Sequence, residues 1–181
     1  TKEEAYIEAL QLNIKRQHED IINNTKRLEN EEARLVNMQK KDIQYFTPDM
    51  AKMNATCYLE TDGLTRIIGI ISFADNTTGY LTDNNYLDED RYDSYGGDRI
   101  ILIEKENRIE TERGDVVFVS STDYDNYKEN LAIERITKSI DMYKKSIDCS
   151  TRIIELCKSI IDHKKSLTFE QMFEMRNGKR N

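Results

Sequence analysis

An aliphatic residue recurs every seven positions in two separated stretches of this chain. The first series is Ile7, Ile14, Ile21, Leu28 and Leu35, and the second is Ile133, Ile140, Ile147, Ile154 and Ile161. A seven-residue repeat keeps one face of a helix against a partner, so both runs read as coiled-coil helices, over 1–42 and 123–165. Charges fill the other faces, with Glu134–Lys138 and Asp141–Lys145 one helical turn apart.

The second seam position is mixed. It reads Leu10, Gln17, Asn24, Glu31 and Met38 in the first helix, and Ile136, Tyr143, Ser150, Cys157 and Lys164 in the second. Polar seam residues cost stability but can fix register and partner number. Two outcomes stay open: a polar layer that selects one assembly, or a seam open to water or filled by further helices. Folding back antiparallel as a stalk sets Ile7 against Ile161 and Leu35 against Ile133. The same pattern also suits bundling between subunits.

Between the helices the pattern changes. Pro48, the only proline, marks the exit from the first run. Short β-like runs follow: NATCYLE (54–60), LTRIIGIISF (64–73), YLT (80–82), RIILIE (99–104), RIETE (108–112) and VVFVS (116–120). Turn signals separate them, and Gly69 marks a bend or bulge inside the longest. The expected fold class is therefore α+β, with two long coiled-coil helices flanking a small all-β domain, barrel or hairpin, over 50–122. Residues 166–181 are expected to form a short amphipathic helix or tail.

Charge is concentrated in the insert. Residues 43–122 carry 15 acids and 7 bases, against 9 and 8 in 1–42 and 8 and 9 in 123–165. An acidic β head on a near-neutral stalk is the expectation. Such a head repels phosphate, so nucleic acid is disfavoured as a partner. No apolar run approaches the ~18 residues that span a bilayer, so no membrane partner is expected. Three cysteines without a CxxC pair point to buried thiols in a reducing compartment, and with the charged start TKEEAYIEAL a cytoplasmic setting is expected.

Two pieces of the insert resemble the paired motifs of the Sm-like family. DGLTRIIGIISFADNTTGYLTD (62–83) is similar to the first motif, and ERGDVVFVS (112–120) to the second, with its Arg-Gly turn before the last strand. The resemblance implies a small β-barrel over 55–120 and a ring that binds RNA. It carries over Asp75, Arg113 and Gly114 as possible ligand- or RNA-binding residues; where the family has two Asn residues, this chain has Gly79 and Val116. From the residues alone, Arg113-Gly114-Asp115 is equally a hairpin turn. The helix–β–helix order is similar in layout to prefoldin-type chaperones.

Two segments stand out as partner contacts. DNNYLDEDRYDSYGGD (83–98) offers Tyr86, Tyr92 and Tyr95 as aromatic anchors among Asp88, Glu89, Asp90 and Asp93. It fails as a calcium loop, because Tyr92 stands where an EF-hand needs a ligand. In the tail, Thr168 and Gln171 form a capping-box pattern, and Phe169, Met172 and Phe173 share one face. His18 and His163 would lie about 20 Å apart along the stalk, too far to share a metal. No nucleophile motif, HExxH or P-loop occurs, so no catalytic residue, cofactor or metal is assigned.

These readings converge on a non-enzymatic oligomeric interaction protein whose acidic head binds a protein partner or small ligand. Two alternatives are an Sm-like RNA-binding ring and a phage or viral inhibitor that presents acidic surface to a host complex in the host cytoplasm.

Overall fold

The computed structural model describes residues 1–83 and 99–166. They divide into two compact units: Thr1–Met38 with the chain from Glu134 onward, and Gln39–Ile133. The fold is α+β, a curled five-stranded antiparallel half-barrel and two long helices.

The helical unit contains α1 (Lys2–Val36) and the greater part of α2 (Ser121–Ser166). Thr1 caps α1, its hydroxyl accepting from the Glu4 amide at 3.3 Å. The two helices run antiparallel within this unit. Glu3 pairs with Lys164 at 2.9 Å, Asn24 Nδ2 donates to Ser146 Oγ at 3.1 Å, and Glu32 meets Lys144 at 3.4 Å.

Burial follows the seven-residue repeat. On α2 Ile133, Ile136, Ile140, Ser150, Ile154, Cys157 and Ile161 are buried. On α1 the same phases are only half-buried, among them Ile7, Ile14, Ile21, Leu28 and Leu35, and no residue is buried outright. Among the described residues, no helix is long and apolar enough to cross a membrane.

Helix α1 ends at Val36, earlier than the repeat suggests. The reason lies in the β unit. Asn130 Oδ1 accepts from the Lys41 amide at 3.0 Å, and its Nδ2 donates to the Lys41 carbonyl at 2.8 Å. The Asp123 carboxylate accepts from the Gln44 amide at 2.9 Å. These side chains take the bonds a longer α1 would have made internally.

The sheet is a meander of β1 (Thr56–Leu59), β2 (Gly63–Ser72), β3 (Thr78–Asp83), β4 (Ile101–Glu104) and β5 (Ile109–Thr111), in that spatial order. Alternate residues point inward. Cys57, Leu59, Ile67, Tyr80, Leu102 and Ile109 join Phe46 and Val117 in one core, with Ala51, Ala55, Ile100 and Val119 against it. The β2–β3 register slips between Ile67 and Gly69, a bulge that lets the long strand bend and the sheet curl.

Two extended pieces line the open side of the curl. Tyr58 and Phe118 exchange backbone hydrogen bonds of 2.8 and 3.0 Å. Phe46 donates to the Val117 carbonyl at 2.9 Å, and Ile109 donates to the Phe46 carbonyl at 3.3 Å. Glu110 on β5 also bridges Val116. Residues 44–46 and 116–119 thus join the β1 edge to the β5 edge. Phe118 stacks near Tyr45, Tyr124 and Tyr127 at 5.8, 5.5 and 5.1 Å between ring centres, so the start of α2 packs on the sheet.

Candidate functional site

Asp75 sits in the β2–β3 turn. Its Oδ1 accepts from the Thr77 amide at 3.0 Å and from the Thr77 hydroxyl at 2.6 Å. Those bonds, the hydroxyl's first, hold its carboxyl below the usual aspartate range. Asn76 beside it takes a positive φ of 65°, which Asn tolerates better than most residues. The carboxylate's local task is therefore to shape a turn.

Arg113 and Gly114 occupy the turn between β5 and residues 116–119. Gly114 has φ 85°, its amide donates to the Thr111 carbonyl at 2.9 Å, and nothing lies within 4 Å of where a Cβ would stand. The glycine is needed here for its backbone angle, not for space. The Asp115 amide donates to Thr111 Oγ1 at 3.1 Å, which closes the turn. Arg113 is exposed.

These two turns do not meet. Successive antiparallel strands send their connections alternately to the two ends of the sheet. The β2–β3 and β4–β5 turns share one end, and the turn after β5 lies at the other. Asp75 is therefore at one end and Arg113–Gly114 at the opposite one. What lies at Asp75's end is an open groove at the β4–β5 turn, lined by Lys105, Glu106, Asn107, Arg108 and Glu110. Arg108 forms an ion pair with the largely buried Glu110, and the Lys105 charge contributes to lowering the Asp75 pKa.

The remaining reactive groups are held quiet. Burial pushes the Cys57 thiol up to about 12, so thiolate chemistry is suppressed there. Burial, then the Glu104 carboxylate at 2.7 Å, pushes the Tyr80 phenol up to about 12. Tyr80 is thereby a fixed hydrogen-bond donor. Cys157 is buried, with Asn13 Nδ2 3.7 Å from its sulfur, and Cys149 is exposed; all three cysteines are free. His18 and His163 are both exposed. Among the described residues, no cluster of His, Cys, Asp and Glu could hold a metal ion.

The proposed partner contacts Tyr86, Asp88, Glu89, Asp90, Tyr92, Asp93 and Tyr95, and Phe169, Met172 and Phe173, lie outside the described residues. Sequence reasoning weighed a polar layer in the seam but not which of its residues meet. Asn13 meets Cys157 and Asn24 bonds Ser146 across the helices, and within α1 Gln17 Nε2 donates to Asn13 Oδ1 at 3.4 Å. The available signal was the run of polar residues in the seam, Gln17, Asn24 and Ser150. Reading which of them meet needs the antiparallel offset, which no single helix carries.

Comparison of the chain with protein-family models, with curated proteins and with solved structures finds no match.

Proposed function

We propose that this chain is a non-enzymatic interaction protein. Its paired helices form an antiparallel coiled coil that sets the oligomeric state, and its acidic β unit contacts a protein partner. The observation that carries this reading is the unequal burial of the two seams. The repeat positions of α2 are mostly buried, while those of α1 stay half-buried along its whole length. A pair of helices that leaves five aliphatic seam residues half-covered gains by receiving further helices. The contacts of Asn13, Asn24 and Ser146 would fix the register of that assembly, as buried polar residues do in other helical bundles.

The separation of Asp75 from Arg113–Gly114 argues against reading these residues as one RNA pocket. The excess of acids in 43–122 argues in the same direction.

Light scattering on the size-separated full chain tests the proposal. The expected result is a mass above one chain that falls when Ile21 is replaced by Asp, with loss of helical ellipticity in Ile147→Asp. A folded monomer whose melting is indifferent to Ile21→Asp would overturn it.

A further inference from the structure

Met142, Cys149 and Leu156 recur every seven residues along α2, on a flank that α1 leaves uncovered. Met142 is 56% and Leu156 61% exposed, and Cys149 is exposed between them. Ile153 and Ile160, one turn on from Cys149 and Leu156, are half-buried beside them. The side of α2 that α1 covers carries Ile133, Ile140, Ile154 and Ile161, so this is a second apolar row outside the seam. It runs about 27 Å from Met142 to Ile160.

The neighbouring rows are sorted by charge. At about 100° per residue, the order around α2 is an acidic row, a basic row, the apolar row, and then the residues that face α1. The acidic row is Glu134, Asp141, Asp148, Glu155 and Asp162, and the basic row is Lys138, Lys145 and Arg152, all of them exposed. The bases therefore stand between the apolar row and the acids. Among the described residues Lys138, Lys145 and Arg152 take part in no ion pair, whereas Lys144 and Lys164 on other rows meet Glu32 and Glu3. On the opposite border α1 approaches through Asn13, 3.7 Å from the Cys157 sulfur. The same row of α1 adds Tyr6, 45% exposed, and Arg27, against one acid, Asp20.

We propose that this flank of α2 is a docking site for an acidic amphipathic helix of a partner protein. The apolar face of such a helix lies along Met142, Ile153, Leu156 and Ile160, and its carboxylates meet the unpaired Lys145 and Arg152 on the open border. Charge selects this occupant. A basic helix is repelled by that border, and a second copy of α2 laid antiparallel on the stripe sets basic row against basic row, like against like. The flank lies outside the α1–α2 seam, so the site does not depend on how the seam assembles.

Fluorescence anisotropy on the full chain tests the site. The probes are two model helices of about 18 residues, long enough to follow the stripe. Each carries leucine along one face, with glutamate on the remaining faces of one and lysine on those of the other. The glutamate helix is expected to bind, with the lysine helix about tenfold weaker or more. Lys145→Glu combined with Arg152→Glu is expected to reverse that order, and Leu156→Ser to weaken the glutamate helix about tenfold. All three side chains are exposed, so helix ellipticity should match that of the unmodified chain. A readout without variants is alkylation of Cys149 by a maleimide, because Cys57 and Cys157 are buried. Saturating glutamate helix is expected to slow it. No binding, equal binding of both helices, or binding that leaves Cys149 alkylation unchanged would overturn the inference. So would slow alkylation of Cys149 in the chain alone, which would show the flank already covered. The cover is then a second copy if the rate falls as protein concentration rises, and the same chain if it does not. Capture by phosphatidylserine vesicles without binding of the glutamate helix would make the flank a membrane contact and overturn it as well. None of these outcomes bears on the oligomeric proposal, which Ile21→Asp tests.

Discussion

The β unit and the helical unit exclude water to different degrees. In the β unit Cys57, Ile67, Leu102, Ile109 and Val117 are 0% exposed. In the helical unit the best-covered seam residues, Ile136, Ile154 and Cys157, keep 5%, and α1 has no buried residue. A curled sheet surrounds its interior from several directions, so a short strand such as β4 can bury Leu102 completely. Two helices cover each other along one line only. The chain thus holds one core that is closed by its own topology and another that two helices leave partly open.

Truncation inside the closed core should give the largest effect. Leu102→Ala removes a side chain with no solvent exposure and leaves a cavity that strands on both sides cannot collapse. The expected loss is about 3 kcal/mol, within the 2–5 kcal/mol range of such replacements. Guanidinium unfolding followed by tyrosine fluorescence would measure it. A loss under about 1 kcal/mol would mean that the β core is far looser than its burial implies.

The helices should separate into a sensitive and a tolerant partner. Ile154→Ala on α2 removes a residue 5% exposed, while Ile14→Ala on α1 removes one that is half-buried. About 2 kcal/mol is expected for the first and about 1 kcal/mol for the second, from helix ellipticity in urea. Equal losses would show that α1 is as well covered as α2 in solution. That result would sharpen the comparison in favour of an assembly in which further helices close the seam.

The sequence carried these two regions unequally. The heptad phases are local and repeated, so the residues that are least exposed on α2, from Ile133 to Ile161, could be named from spacing alone. The strands were also visible, because runs such as LTRIIGIISF are β-branched and bounded by turn residues. What spacing could not supply was closure. Phe46, Val117 and Phe118 come from either end of the insert, and their pairing to β1 and β5 depends on contacts across more than half of it. The same holds for Asn130 and Asp123, which end α1 early by bonding residues 79 to 89 positions away. Asp75 and Arg113 looked like parts of one motif. Counting the strands between them, β3, β4 and β5, puts their turns at opposite ends, and that parity needs the strand assignments first.

A smaller effect is expected at the junction of sheet and helix. The Ser120 hydroxyl accepts from the Asp123 amide at 3.2 Å and donates to the Asp123 carboxylate at 2.5 Å, so it caps α2. Ser120→Ala should cost about 1 kcal/mol. The loss should fall on the tyrosine signal before the helix signal, because Tyr124 and Tyr127 stand on the first turns of α2 against Phe118. Simultaneous loss of both signals would mean that the two units unfold as one.

Acid should produce the mildest change, and again in the β unit first. Burial tends to raise the Asp123 carboxyl, but hydrogen bonds from the Ser120 hydroxyl and the Gln44 amide prevail and leave it below its ordinary 3.8. A carboxyl lowered in the folded state stabilises the fold at pH above its unfolded value. That contribution is lost as pH falls from the unfolded value through the lowered one, because over that interval the unfolded chain takes up a proton that the folded carboxyl does not. Asp75, lowered by Thr77, acts with the same sign in the same window. The tyrosine-monitored melting temperature is therefore expected to be flat down to about pH 4 and to fall below it. Asp123→Asn and Asp75→Asn should each make that fall shallower. If the double variant keeps the full acid slope, protonation elsewhere governs acid loss, and the turn and cap carboxylates do not set the pH response of the β unit.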